Sequence, residues 1–333
     1  MLWVFLHPSM LVFIPVLLVT VFFAASAQSW FFAWIALEVN LFCFLPLILF
    51  MGNKYSTEAT IKYFLVQTIA SIILFISTIV GQPWMTMGSS WFTLSALMFK
   101  MGSAPFHQWL ISIADALNWH SSFLLMTVQK LAPLALVTNF SFNDEMQTLL
   151  GFSIISAIVG SVGGLLQSSL RKIMMFSSIS HLSWVIAAMM ISQTLWMMYF
   201  MVYSIMVCML LSSFNSLQVA KLSDLMNSSL SPSMKLIISS SFLSMSGLPP
   251  LLGFLPKLIV LDQLILKSMI FLSLSLVLFA LVSMFFYVRM GLSMLSLSLK
   301  YAIWSTMKPW RNTPLLILNV TLLLAPSILY FLC

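Results

Sequence analysis

Five ionisable side chains lie deep inside apolar stretches of this sequence. Glu38 stands in WIALEVNLF, Lys100 in KMGSAPFHQW, Lys130 in QKLAPL, His181 in SSISHLSW and Lys257 in GLPPLLGFLPK. Each falls inside an apolar run long enough to cross a bilayer, which takes about 20 residues. All five types can gain or lose a proton under local control. Desolvation disfavours the charged form, and a nearby opposite charge favours it. Arginine, which keeps its proton, is absent from the set. Protonatable groups without arginine, buried in apolar helices, have the chemistry of a proton relay rather than of an anion or sugar site.

Two of the five sit beside helix breakers. Lys100 precedes Gly102 and Pro105, and Lys257 follows Gly247, Pro249, Pro250 and Pro256. Proline removes a backbone donor and clashes with the preceding turn. A break at membrane depth frees backbone groups that need water or protein partners and leaves two half-helix ends with partial charge. Such a point can hold water beside a lysine, and it can flex.

Four further residues stand near the set. Glu58 and Lys62 in STEATIKYF are spaced i, i+4, as in an ordinary helix ion pair, and they either brace the third helix or support the path. His107 follows the first break and either joins the path or bonds a freed carbonyl. Asp262 lies just over one turn beyond Lys257 and either balances its charge or lines an exit.

These side chains need helices to hold them. Of 333 residues, 61% are hydrophobic and only 6% are charged, and mean hydropathy is +1.08. No soluble core needs that ratio. The fold class is therefore all-α, a polytopic transmembrane helix bundle forming one membrane domain over 1–333. Apolar runs between polar, Gly, Pro, Asn and Ser punctuation predict about eleven helices, at 3–25, 29–50, 56–80, 90–117, 120–140, 146–166, 171–190, 194–219, 235–267, 268–290 and 312–332. The fourth and ninth are longer than a bilayer requires and carry the breaks. Helices rise about 1.5 Å per residue, so counting places all five residues within a turn or two of the midplane. Two broken, lysine-bearing helices in separate halves resemble inverted-repeat transporters.

Alternating the loops sends Lys54, Arg171, Lys172, Lys221, Lys235, Arg289, Lys300, Lys308 and Arg311 to one side. Lys267 and the acidic pair Asp144 and Glu145 go to the other. This bias identifies the first side as the positive one, with the N-terminus on it and the C-terminus opposite. The segment 291–311, with its tryptophans and basic residues, suits the interface and acidic lipid heads such as cardiolipin.

Other classes find no support. The basic residues form no patch for nucleic acid. Cys43, Cys208 and Cys333 are far apart in apolar runs, without metal spacing. No phosphate loop, nucleotide fingerprint or nucleophile triad is present. Residues 9–28 end in AASAQ, but the first eight residues lack a basic region, so the run reads as a retained helix rather than a cleaved leader.

Six motifs in order, WIALEVNLF, STEATIKYFLVQTIAS, KMGSAPFHQW, QKLAPL, SLRKIMMFSSISHLSW and GLPPLLGFLPK, span roughly 29–265. Together they resemble the antiporter-like, proton-translocating subunits of mitochondrial respiratory complex I, in particular the subunit 2 family of its NADH dehydrogenase. The resemblance implies an antiporter-like inverted-repeat fold lacking the first three helices. It implies that Glu38 couples neighbouring channels, that Lys100 and Lys257 serve the two broken helices, that Lys130 links the half-channels and that His181 lies between. Asp262 departs from the family, which more often has glutamate there. The positive side becomes the matrix side of the mitochondrial inner membrane. FMN, iron–sulfur clusters and ubiquinone would belong to other subunits, this chain binding none, and its partners would be other membrane-arm subunits. The rival readings are a stand-alone cation/proton antiporter, which would need a cation site rich in carboxylates, and a scaffold whose charges only fix packing.

Overall fold

Apolar runs bounded by Asn, Ser, Gly and Pro fold into helices throughout the described chain. The structure is a computed structural model describing residues 8–49, 53–81, 87–139, 146–227, 232–249 and 251–296. Among these, the helices are α1 (Pro8–Ala25), α2 (Trp30–Leu49), α3 (Lys54–Gly81), α4 (Met87–Met101), α5 (Gln108–Ala114), α6 (Trp119–Met126), α7 (Val128–Asn139), α8 (Met146–Leu165), α9 (Leu170–Met189), α10 (Gln193–Leu217), α11 (Leu222–Asn227), α12 (Pro232–Ser246), α13 (Phe254–Leu266) and α14 (Ile270–Ser296). The only extended pairing among the described residues is the bridge between Ser169 and Lys221.

Seven spans among the described residues are long and apolar enough to cross a membrane: α2, α3, α6 with α7, α8, α9, α10 and α14. They correspond to the second, third, fifth to eighth and tenth expected spans. The expected fourth span is split into α4 and α5, and the ninth into α12 and α13. The expected span 312–332 and the interfacial residues Lys300, Lys308 and Arg311 lie outside the described residues, as do Asp144 and Glu145.

The expected fifth span, 120–140, differs from a continuous helix. It is interrupted at Thr127, with φ −115° and ψ −79°. The Thr127 hydroxyl bonds the Phe123 carbonyl one turn back at 2.7 Å, a back-bond that bends helices. Pro133 inside α7 supplies no N–H to the carbonyl of Gln129.

Within the membrane domain expected over 1–333, contacts group into two compact units, 1–156 and 157–333. In the first, α1 packs on α2 and α7, α3 on α2 and α4, and α4 on α7. In the second, α9 packs against α10, α13 and α14, and α12 against α10 and α14. Every residue of α9 from Ile173 to Ala188 is buried. A helix enclosed all round must satisfy its polar groups internally. Its serines do so: Ser177, Ser178, Ser180 and Ser183 each donate to the carbonyl three residues back. Small residues on α8 let that helix come close. A Cβ added at Gly160 would lie 2.5 Å from the Ser180 nitrogen, and one at Gly163 would enter the Phe176 ring.

The second unit also sorts its charges by end. Leu170 N–H donates to Ala220 and Leu222 N–H to Ser168, which joins the start of α9, with Arg171 and Lys172, to the segment carrying Lys221. Arg289 donates to the Leu165 carbonyl at that same end. Asp224 accepts from the backbone N–H of Lys221 and Ala220, and these bonds, the Lys221 one foremost, hold its carboxyl below the usual range. Lys267 instead donates to the carbonyls of Met190 and Ile191 at the α9–α10 turn, the opposite end. Lys235, expected in a loop, lies in the first turn of α12 and is buried.

Candidate functional site

Burial agrees with the sequence reading for four of the five residues, which are 6% (Lys100), 2% (Lys130), 4% (His181) and 8% (Lys257) exposed. Glu38 is half-buried near the middle of α2. Its Oε1 is enclosed and has no hydrogen-bond partner among the described residues. No described ion pair joins Glu38 to a lysine, although it lies close enough to Lys100 to act on its charge.

In the first unit, Lys100 occupies the last turn of α4, just before the break. Gly102 ends the helix in the left-handed region at φ +71°, where a side chain would be strained. Three of the carbonyls freed at the break find donors. Ser103 serves Met98 with both its N–H and its hydroxyl, at 3.1 Å each. The Trp109 indole donates to Phe99 at 3.2 Å, and the Gln67 amide to Lys100 at 3.3 Å. Those three groups are satisfied within the protein, as membrane depth requires. His107 bonds the Pro105 carbonyl through Nδ1 at 3.1 Å.

Lys130 stands three residues past the Thr127 interruption, beside Gln129, whose carbonyl side-chain oxygen accepts from the Tyr63 hydroxyl. Glu58 and Lys62 form their i, i+4 pair on an exposed face of α3, apart from the buried residues.

In the second unit, α12 ends at Ser246 and Gly247 takes φ +80°. Gly253 lies so close to the Ser244 carbonyl that a Cβ there would overlap it. Pro249 is exposed, while Pro256 is buried in the first turn of α13, where its missing N–H costs nothing; Pro250 lies outside the described residues. Lys257, one residue on, turns back and donates from Nζ to the Ser246 carbonyl at 2.8 Å. An ammonium group thus sits on the negative end of a half-helix. Its other neighbour is the Trp184 ring, 5.9 Å from Nζ to the centroid. Asp262 is exposed on α13 and makes no described ion pair with Lys257; the half-helix end, not Asp262, is the counter-group the lysine touches.

His181 meets the Tyr199 hydroxyl at 2.9 Å through Nδ1 and packs on the Tyr203 ring, centroids 5.0 Å apart. Trp184 stacks on Tyr199. These aromatic partners, with Gln67 and Gln129 in the first unit, are additions to the sequence reading. Their signal was the spacing of Tyr199 and Tyr203, one turn apart on the face of α10 that meets α9.

Each buried lysine of the set thus stands at an interrupted helix. Lysine in an apolar site holds its proton only as far as neighbouring dipoles and charges support it. A broken helix can change how well the charged form of such a lysine is supported.

Comparisons with known proteins bear on the family and the fold. A family described as NADH:quinone oxidoreductase/Mrp antiporter, TM, matches residues 27–82 and 78–284. NADH-ubiquinone oxidoreductase chain 2 of Anopheles gambiae is 36% identical over 313 residues, covering 90% of each chain. The chain of that name from Lemur catta is 34% identical over 322 residues, covering 91% of this chain and 93% of the relative. Among solved structures, respiratory complex I from Thermus thermophilus contains a chain that superposes with a TM-score of 0.79 at 20% identity, covering 94% of this chain and 76% of that one. A chain of the Mrp complex from Dietzia superposes with a TM-score of 0.70 at 18% identity, covering 84% and 57%. These two likenesses concern the fold.

Proposed function

Since the chain belongs to the NADH:quinone oxidoreductase/Mrp antiporter membrane family, and within it to the NADH-ubiquinone oxidoreductase chain 2 group, we propose that it is a core membrane-arm subunit of a proton-translocating NADH:ubiquinone oxidoreductase. Glu38, Lys100, Lys130, His181 and Lys257 carry the protons. Redox chemistry on FMN, iron–sulfur clusters and ubiquinone takes place in other subunits, and this chain receives its effect as a change in charge or conformation. Other antiporter-like subunits flank it in the inner mitochondrial membrane, with the end bearing Arg171, Lys172, Lys221 and Arg289 toward the matrix. Acidic lipids such as cardiolipin lie against the basic end.

One observation carries the reading: Lys100, Lys130 and Lys257 are buried at interrupted helices. A scaffold that buries lysine at a break bears a desolvation cost that an apolar residue would avoid. A relay gains a charge whose support changes as the break flexes. At an effective dielectric near 20, a charge appearing ~7 Å away is worth roughly 2 kcal/mol, more than tenfold in proton occupancy. Neighbouring sites can therefore pass an electrostatic signal along the chain.

The test begins with native membranes, gently solubilised and resolved on a native gel. The chain should co-migrate with NADH oxidase activity in one large assembly. Migration alone, with full ion exchange in reconstituted vesicles, would instead establish a stand-alone antiporter.

A further inference from the structure

Two buried phenols near His181 are not used by the lysine row. Tyr203 on α10 and Tyr287 on α14 are 2% and 1% exposed. Neither hydroxyl completes a hydrogen bond of ordinary geometry with a described residue. A buried hydroxyl left so has lost its water without a replacement. Phenylalanine would avoid that loss and keep the ring packing.

Their surroundings are polar and shared. The Tyr203 hydroxyl approaches Ser178 and the Tyr287 hydroxyl approaches Ser177, two adjacent positions on α9. Both serines spend their own hydrogens on the carbonyls of Met175 and Met174, which leaves their oxygens able to accept. Tyr287 also lies within electrostatic reach of Tyr199 and Tyr203. Four hydroxyls on three helices converge, and a buried water needs two to four such partners.

The cluster has a direction. Ser177 precedes His181 by four residues on α9, about 6 Å toward the basic end. Tyr287 is two residues from Arg289, which bonds Leu165 at that end. At the other extreme, the Tyr199 hydroxyl already touches His181.

We infer that Tyr287, Tyr203, Ser177 and Ser178 hold ordered water and form a hydroxyl path that brings protons from the basic end to Tyr199 and His181. This rests on the proton-carrying reading above. As a proton arrives at the outer water, each oxygen along the path accepts one hydrogen and passes on another. Tyr199 gives its hydrogen to Nδ1 of neutral His181 while taking one from its neighbour. No phenolate persists; the net change is one proton gained by His181 and one lost from water at the basic end.

The test is the double variant Tyr203→Phe with Tyr287→Phe in the intact complex, with Lys257→Met carried in parallel. Proton translocation per NADH oxidised should fall in the tyrosine variant to the level of Lys257→Met, because both rings remain packed and only the hydroxyls are lost. If the tyrosine variant pumps fully while Lys257→Met fails, the hydroxyl path is wrong and the lysine reading stands. If both pump fully, that reading falls and takes the path with it. A high-resolution structure of the unmodified complex decides the matter should the double variant not assemble. Water bridging the Tyr203 and Tyr287 hydroxyls supports the path, and dry hydroxyls overturn it.

Discussion

The Lys257 ammonium group donates to the main-chain carbonyl of Ser246, the last residue of the half-helix before the break, at 2.8 Å. They lie eleven positions apart in the chain, and the intervening Gly247 and Gly253 make the approach possible. A Cβ at Gly247 would lie 2.9 Å from the lysine Nζ. Gly247→Ala should therefore strain a left-handed position by about 1–2 kcal/mol and displace the ammonium group as well. We expect an assembled complex with lower thermal stability and impaired proton translocation. Normal pumping at lowered stability would separate the bond from the transport step.

The first break has its own support. The Trp109 indole N–H joins the Gly102 backbone N–H on the Phe99 carbonyl, and Trp109→Phe should remove one of these two donors. The cost is about 0.5–1.5 kcal/mol for one lost hydrogen bond, seen as a lower melting temperature of the purified complex. No loss of stability would mean that water replaces the indole.

The breaks at Gly102 and Gly247 were legible because glycine, proline and lysine are conspicuous in apolar runs. The interruption at Thr127 was not, since threonine in an apolar stretch reads as an ordinary helical residue until its hydroxyl is seen on the Phe123 carbonyl. Likewise, the number of ionisable groups was visible in sequence, but the group each one touches was not. By its spacing Asp262 could either balance the charge of Lys257 or line an exit. At i, i+5 it sits well around α13, and the backbone of Ser246 takes that place instead. Polar aromatics such as Tyr199 were hidden by their number among many other rings.

Sidedness can be checked in vesicles of both orientations. The bonds from Leu170 to Ala220 and from Lys267 to Ile191 put residues 168–172 and 220–224 at one end of the second unit and 267–268 at the other. Single cysteines at Ser168 and Ser223, in a background lacking other reactive thiols, should label from one face, and a cysteine at Ser268 from the other. Labelling of all three from the same face would contradict this arrangement.

Glu38 has an enclosed oxygen without a hydrogen-bond partner among the described residues and lies within electrostatic reach of Lys100. Glu38→Gln keeps its size and removes its charge. Assembly should be preserved while coupled turnover and pumping fall. Unchanged activity in the assembled variant would remove Glu38 from the path.

The most direct measurement compares Lys257→Met with Lys257→Arg, as protons moved per NADH oxidised by complex shown intact on a native gel. Methionine keeps an apolar stem of similar length; arginine keeps a permanent charge able to bond the Ser246 carbonyl. If Lys257 carries a proton that must leave, both variants lose translocation. Full pumping by Lys257→Arg would contradict the relay and make the residue an electrostatic anchor for the broken helix.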